Sequence, residues 1–347
     1  MAPVVQTILD SSKEMHTSTT DVLACGSTLG NLFRVARGVG KPFRFCIEVI
    51  GNTVFFLRQV NDPKELIEDI RGYGHTFPEA YTTWDEGVKG SETSQRIVHY
   101  EFGGLRCMVR FECDGYLENS TAENAAKATT MAQANRVDDL VDALQDNTVF
   151  SKQALTNNLT VKKGGEAIAQ SSIFDLKTRS LRYGKEIDMN DVYPLLWIKQ
   201  IPNFVVAYHD GQGLFQDIRV QNIQEDMEVW QEDNKHAIGR FAALLNKLIE
   251  FSKDKRELLE VYCPGADVLE IRSQYGQDVH ALPTELADRW SEESDEKNMR
   301  SNYPDRERYS SDGLEHRSDD ADDSDGSDRD YTACSASDCG YCGKCTY

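Results

Sequence analysis

Three times along the chain two β-rich runs flank a glycine-bearing turn, and this repetition limits the possible folds more than any other feature. FRFCIEVI and TVFFLRQV surround Gly51-Asn52, QRIVHYEF and LRCMVRFE surround Gly103-Gly104, and NFVVAYH and LFQDIRV surround Asp210-Gly211. Runs joined so tightly pair as antiparallel hairpins, because Gly and Asn accept the positive φ that such turns need. Helical spacing appears between them. Residues 20–38 place Leu29, Leu32, Phe33 and Ala36 on one stripe that stops at Gly38, which predicts one short helix. A short helix is expected around 79–84. Residues 223–252, with Ile238, Phe241, Leu244, Leu245 and Leu248 on one face, predict a single long amphipathic helix followed by LLEVYC as an edge strand. The fold class is α+β, a mixed and mainly antiparallel sheet flanked by helices.

Composition changes sharply beyond Pro283. Residues 284–331 carry 17 Asp and Glu against 7 Lys and Arg, half of the chain's net charge of −20. Such a stretch lacks the apolar area that would offset ordering entropy, and is expected to be a disordered acidic linker. The predicted organisation is an N-terminal arm over 1–19, one domain over 20–283 with an inserted Ala-rich helix at about 119–150, the linker over 284–331, and a cysteine cluster over 332–347. An acidic body weighs against non-specific nucleic-acid binding. No run approaches the roughly 18 apolar residues of a membrane helix, and no signal peptide is visible, so an intracellular, cytoplasmic or nuclear protein without a membrane partner is expected.

The chemistry concentrates on two strands. Side chains alternate along a strand, so MVRFECDGYL is expected to project Arg110, Glu112 and Asp114 together, and IFDLK to project Asp175 and Lys177. Carboxylates of this kind suit Mg²⁺ or Mn²⁺, which take one or two acids and complete the shell with water and substrate phosphate. A neighbouring lysine can orient the attacking water. An acid on one strand beside an acid-x-lysine on the next is the arrangement of PD-(D/E)XK nucleases. The bland alternative is the charged outer face of an antiparallel sheet.

The order of the flanking motifs resembles the DXO family of RNA 5′-end decapping enzymes over roughly residues 20–220. ACGSTLGNLFR and the first hairpin are similar to its opening helix and strand pair, RGYGHTFPEAY to its Gly-Tyr-x-Phe-Glu motif, FGGLRCMVRFECD to its Glu-x-Asp motif, FDLK to its Glu-x-Lys motif, and LLWIKQIPNFVVAYHDGQG to the segment after it. The resemblance implies a metal-dependent phosphodiesterase or pyrophosphohydrolase acting on RNA 5′ ends or nucleotide diphosphates. Glu79, Glu112, Asp114 and Asp175 would then hold Mg²⁺ or Mn²⁺ and Lys177 would position water, with Arg96, Arg110, Arg179 and Gln200 against the substrate. The chain departs from the family at Cys25, where the family has arginine and where Arg34 or Arg37 could substitute. It departs again at Asp175, which replaces a glutamate, and at Leu195, which replaces a glutamine unless Gln200 serves. The lost arginine and the acidic body make a catalytically degenerate binding or scaffold protein the second reading. The chain is also similar to fungal proteins labelled geranylgeranyl pyrophosphate synthase. That activity would require an all-α fold with two Asp-rich motifs, whereas the one match, Asp319 to Asp323, lies in the acidic stretch.

Cys334, Cys339, Cys342 and Cys345 are spaced closely enough to wrap Zn²⁺, with an iron–sulfur cluster or an unligated tail as alternatives. A tail module of this kind would serve a protein partner. His209 beside Asp210 is a candidate base, and Phe77, Tyr81 and Trp84 are candidate base-stacking residues. His75, His99 and His209 are each as readily structural, and the three aromatics as readily core.

Overall fold

The computed structural model describes residues 1–11, 19–58, 73–74, 76–118, 161–181, 187–265, 268–276 and 278–298. The chain opens with α1 (Ala2–Ser11), then β1 (Val22–Cys25), α2 (Gly26–Ala36), β2 (Phe43–Ile50), β3 (Thr53–Arg58) and α3 (Thr76–Tyr81). β4 (Gln95–Phe102), β5 (Leu105–Glu112), the short β6 (Gly115–Tyr116), β7 (Ile173–Ser180) and α4 (Met189–Lys199) follow. The remainder is β8 (Asn203–His209), β9 (Phe215–Asn222), α5 (Gln224–Asp233), α6 (Lys235–Lys255), β10 (Leu259–Gly265), β11 (Val268–Ser273) and α7 (Thr284–Asn298). The α+β class stands. One seven-stranded sheet has the order β11-β10-β2-β3-β1-β5-β4, and a four-stranded sheet has the order β6-β7-β8-β9.

All three hairpins form as expected, β2 with β3, β4 with β5, and β8 with β9. Gly103 and Gly104 both take positive φ at their turn, the backbone state that a side chain resists. The stretch 20–38 is not one helix. Its first four apolar residues form β1, which lies parallel to both β3 and β5 in the middle of the large sheet, and α2 starts only at Gly26. A wholly buried run of four residues carries no period that separates strand from helix. The expected helix over 223–252 is two helices that meet at Asn234. LLEVYC lies inside the sheet, between β2 and β11, and the edge belongs to β11.

The large sheet is covered on both faces. On one, α2 and α6 pack Leu29, Leu32, Phe33, Phe241, Leu245 and Leu248 onto Val22, Phe45, Phe56, Val109 and Val261. On the other, Val4, Val5 and Ile8 of α1 join Leu286 and Trp290 of α7 over Leu23, Phe55 and Met108. Residues 284–298 are therefore helical rather than the opening of a disordered linker, and α1, within the expected N-terminal arm, is part of the core. An average over 284–331 hides Leu286 and Trp290, whose i, i+4 spacing puts both on one helical face. Trp290 is fully buried, donates its indole N–H to Thr53 Oγ1 at 3.1 Å and meets Phe55 edge-on. Trp290→Ala should cost about 3–5 kcal/mol of unfolding free energy, the usual range for deleting a buried aromatic. Urea titration measures it. A cost below about 1 kcal/mol, that of an exposed site, would show that α7 does not contribute to the core.

Candidate functional site

β7 delivers the chemistry because its two faces differ. Phe174 and Leu176 pack with Phe77, Val205 and Ala207, while Ile173 on the opposite face joins Phe111, Cys113, Val192, Leu196 and Phe204. Alternation puts Asp175 and Lys177 on that second face, which looks toward β5 and α4. Asp114 lies just beyond the end of β5, and its Oδ2 accepts the backbone N–H of Leu176 at 2.6 Å. Asp114, Asp175 and Lys177 are thus brought together across β7.

A fourth member was missed in the sequence. Lys199 reaches in from the last turn of α4 and donates from Nζ to Asp175 Oδ2 at 2.8 Å, while Lys177 Nζ stands 3.5 Å from Asp175 Oδ1. The Asp175 and Lys199 side chains are only 4% and 2% exposed, so theirs is a buried ion pair; that of Lys177 is 14% exposed. Lys199 also lies 5.9 Å from the Phe111 ring centre. In PLLWIKQIP it reads as an ordinary cation at a helix C-terminus. Its one available signal is an i, i+4 offset from Leu195, which places it on the same helical face as the position where the family has glutamine.

Several hydrogen bonds fix this lysine. Gln200 ends α4 in the left-handed conformation, φ 55°, and its side-chain amide donates to Trp197 O. Gln170 Nε2 donates to the carbonyls of both Lys199 and Gln200, and Gln170 Oε1 accepts from Arg96 Nε, whose guanidinium also donates to Ile168 O. Arg96 and Gln200, expected against substrate, thus take part in holding the C-terminus of α4. At Gly30 of α2 a Cβ would come 2.6 Å from Leu195 Cδ2, so the glycine allows α2 and α4 to approach closely.

The remaining candidates are spread more widely. Glu79 is exposed on α3, the helix that packs through Phe77 on the far face of β7, and Glu112 ends β5. Arg110 Nη1 lies 3.6 Å from Cys25 Sγ, so Arg110 is the arginine that approaches the Cys25 position. Arg34 is bonded to Asn31 and Arg37 to Asn190 O, away from it. Phe77 and Tyr81 stack on each other and meet Phe215 edge-on, also on the far face. Trp84 is exposed, and His99 lies on β4. His209 is buried against Tyr73 and accepts from Gly211 N, and burial lowers its pKa. His75, the inserted segment at 119–150 and Cys334, Cys339, Cys342 and Cys345 lie outside the described residues.

The family model described as "Domain of unknown function (DUF8563)" matches residues 1–267. The chain belongs to this family. No curated protein matches it in sequence. Among solved structures it is similar to Rai1 of Scheffersomyces stipitis, with 11% identity, 84% of this chain and 80% of that chain covered, and a TM-score of 0.54. The same protein in complex with (3′-NADP)⁺ and calcium ion gives 10%, 84%, 78% and 0.52. Rai1 of S. pombe gives 9%, 78%, 76% and 0.51. The DUF8563 chain therefore has the fold of the Rai1 structures, in agreement with the resemblance read from its motifs. Its α+β body is not the all-α fold that a prenyl diphosphate synthase would need.

The described donor set of this DUF8563 member does not fit the metal centre that the resemblance implies. Among the described residues, no three His, Cys, Asp or Glu side chains come together in a way that could hold a metal ion. Two lysine ammonium groups face Asp175. The electrostatics reflect this arrangement. Burial raises the pKa of Asp114 to about 7, with the Asp175 charge adding to the rise and Lys177 and Lys199 opposing it. Burial also pushes Asp175 up, but Lys199 and then Lys177 outweigh it, and its carboxyl is held below the ordinary carboxylate range.

A pH dependence follows. Between the ordinary aspartate value of 3.8 and about 7 the folded chain keeps the Asp114 proton that the unfolded chain releases, so this group's contribution to stability falls as pH rises through that window. Asp114→Asn should flatten the fall. Chemical denaturation from pH 4 to 8 tests it, and equal slopes for both proteins would contradict the burial of Asp114.

Proposed function

We propose that this chain uses the decapping-nuclease fold to bind phosphorylated nucleotides, of the kind found at RNA 5′ ends, and does not cleave them by metal-assisted hydrolysis. The observation that carries this reading is Lys199 Nζ on Asp175. Asp175 already has its counter-charge in two ammonium groups, and a divalent ion would have to displace a buried lysine to reach it.

Support for a nucleotide ligand comes from the strip of the small sheet just outside the ion pair. Alternation puts Lys177 and Arg179 on one face of β7, and the register sets Lys177 beside Val206 and Arg179 beside Tyr208 of β8. Across β8, Arg219 of β9 is opposite Val206 and packs its guanidinium 4.9 Å from the Tyr208 ring. Cations beside an aromatic plane suit a phosphate and a base. Rai1 structures with (3′-NADP)⁺ or with 3′-FADP support the same ligand class.

The metal-dependent phosphodiesterase or pyrophosphohydrolase is the second reading. It is favoured by one observation, the meeting of Asp114, Asp175 and Lys177 around β7. One experiment separates the two. Fluorescence polarisation with 5′-monophosphate, 5′-triphosphate and NAD-capped oligonucleotides should show binding that weakens at least about tenfold in Lys177→Ala/Arg179→Ala, with no hydrolysis in Mn²⁺. Hydrolysis that Asp114→Ala abolishes would establish the second reading, and absence of binding to all three ligands would sink the first.

A further inference from the structure

We propose that the Lys199 ammonium stands where a nuclease of this fold would hold a divalent cation, a tethered counter-ion that closes the centre of this chain to metals. The proposal deepens the binding reading by naming what fills its centre.

The geometry carries it. A divalent ion at this place would need one or two carboxylates with exposed oxygens and room for its waters. Here Asp175 Oδ2 is taken by Lys199, Asp175 Oδ1 faces Lys177, and Asp114 Oδ2 is taken by the Leu176 amide. A lysine is also expensive to bury unless it is paired and hydrogen-bonded. The fold nonetheless holds Lys199 at 2% exposure, fixes its carbonyl through Gln170 and anchors Gln170 through Arg96. That support exists on both sides of the ion pair. At the entry to β7, Asn203 Nδ2 donates to the carbonyls of Ser171 and Ile173 and sets the parallel register that aims Asp175 inward. Acid and lysine are each positioned from a separate element, which makes their meeting a built feature of the fold.

Removing the positive charge while keeping the acids should turn the place into a metal site. Mn²⁺ alone is the probe, followed by electron paramagnetic resonance and calorimetry on the full chain. The acidic tail and the terminal cysteines also attract cations, so the site is read as the part of binding that Asp114→Asn or Asp175→Asn abolishes. The wild type should show no such Asp-dependent site. Lys199→Gln and Lys199→Met should each gain one, at least about tenfold tighter than any in the wild type, and Lys199→Arg should gain none. Folded Gln and Met variants without an Asp-dependent site would overturn the proposal, as would a wild type that already has one. If neither neutral variant folds, the wild-type titration decides alone, its Asp-dependent site overturning the proposal and its lack of one supporting it. Failure of the nucleotide-binding assay would sink the binding reading and leave this titration unaffected.

Discussion

The ion pair between Lys199 and Asp175 joins the two parts of the molecule that meet at the candidate site. Asp175 belongs to the small sheet, and Lys199 belongs to the helix that packs Val192 and Leu196 against Phe111 of β5 in the large one. Breaking such a pair from one side leaves a buried charge without compensation, at a cost of about 3–5 kcal/mol. Its surroundings are arranged accordingly. Gln170, Arg96 and the left-handed Gln200 fix the backbone beneath the lysine, while Asn203 fixes the strand beneath the acid.

This arrangement explains how a chain can keep the fold of Rai1 at about one residue in ten while its described residues bring no three metal-donor side chains together. The fold depends on apolar layers and hairpin turns, which tolerate wide exchange of side chains when volume and pattern are kept. A metal centre depends on a few oxygens at fixed distances. Here two of the proposed ligands, Asp114 and Asp175, remain beside β7, whereas Glu79 is exposed on a helix that packs on its far face.

Much of the fold was legible because its signals are local. Gly51, Gly103 and Gly104 mark hairpins by the φ they must adopt, and Phe241, Leu245 and Leu248 mark a buried helical face. β1 was not legible, since four buried apolar residues have no period. Nor was the helix of Trp290, because a window averaged over acidic residues conceals two apolar ones. Within the site, the i, i+2 spacing of Asp175 and Lys177 places them on one face of a strand, and the structure agrees. Lys199 was hidden because its partner lies 24 residues away on another element. Inside PLLWIKQIP only the i, i+4 offset from Leu195 sets this lysine apart from one that ends a helix in water.

A crystal of the full chain soaked in Mn²⁺ tests the central claim most directly. No manganese anomalous peak is expected at Asp114 and Asp175, and Lys199 Nζ should remain within hydrogen-bond distance of Asp175. A peak on these carboxylates, with Lys199 displaced, would contradict it.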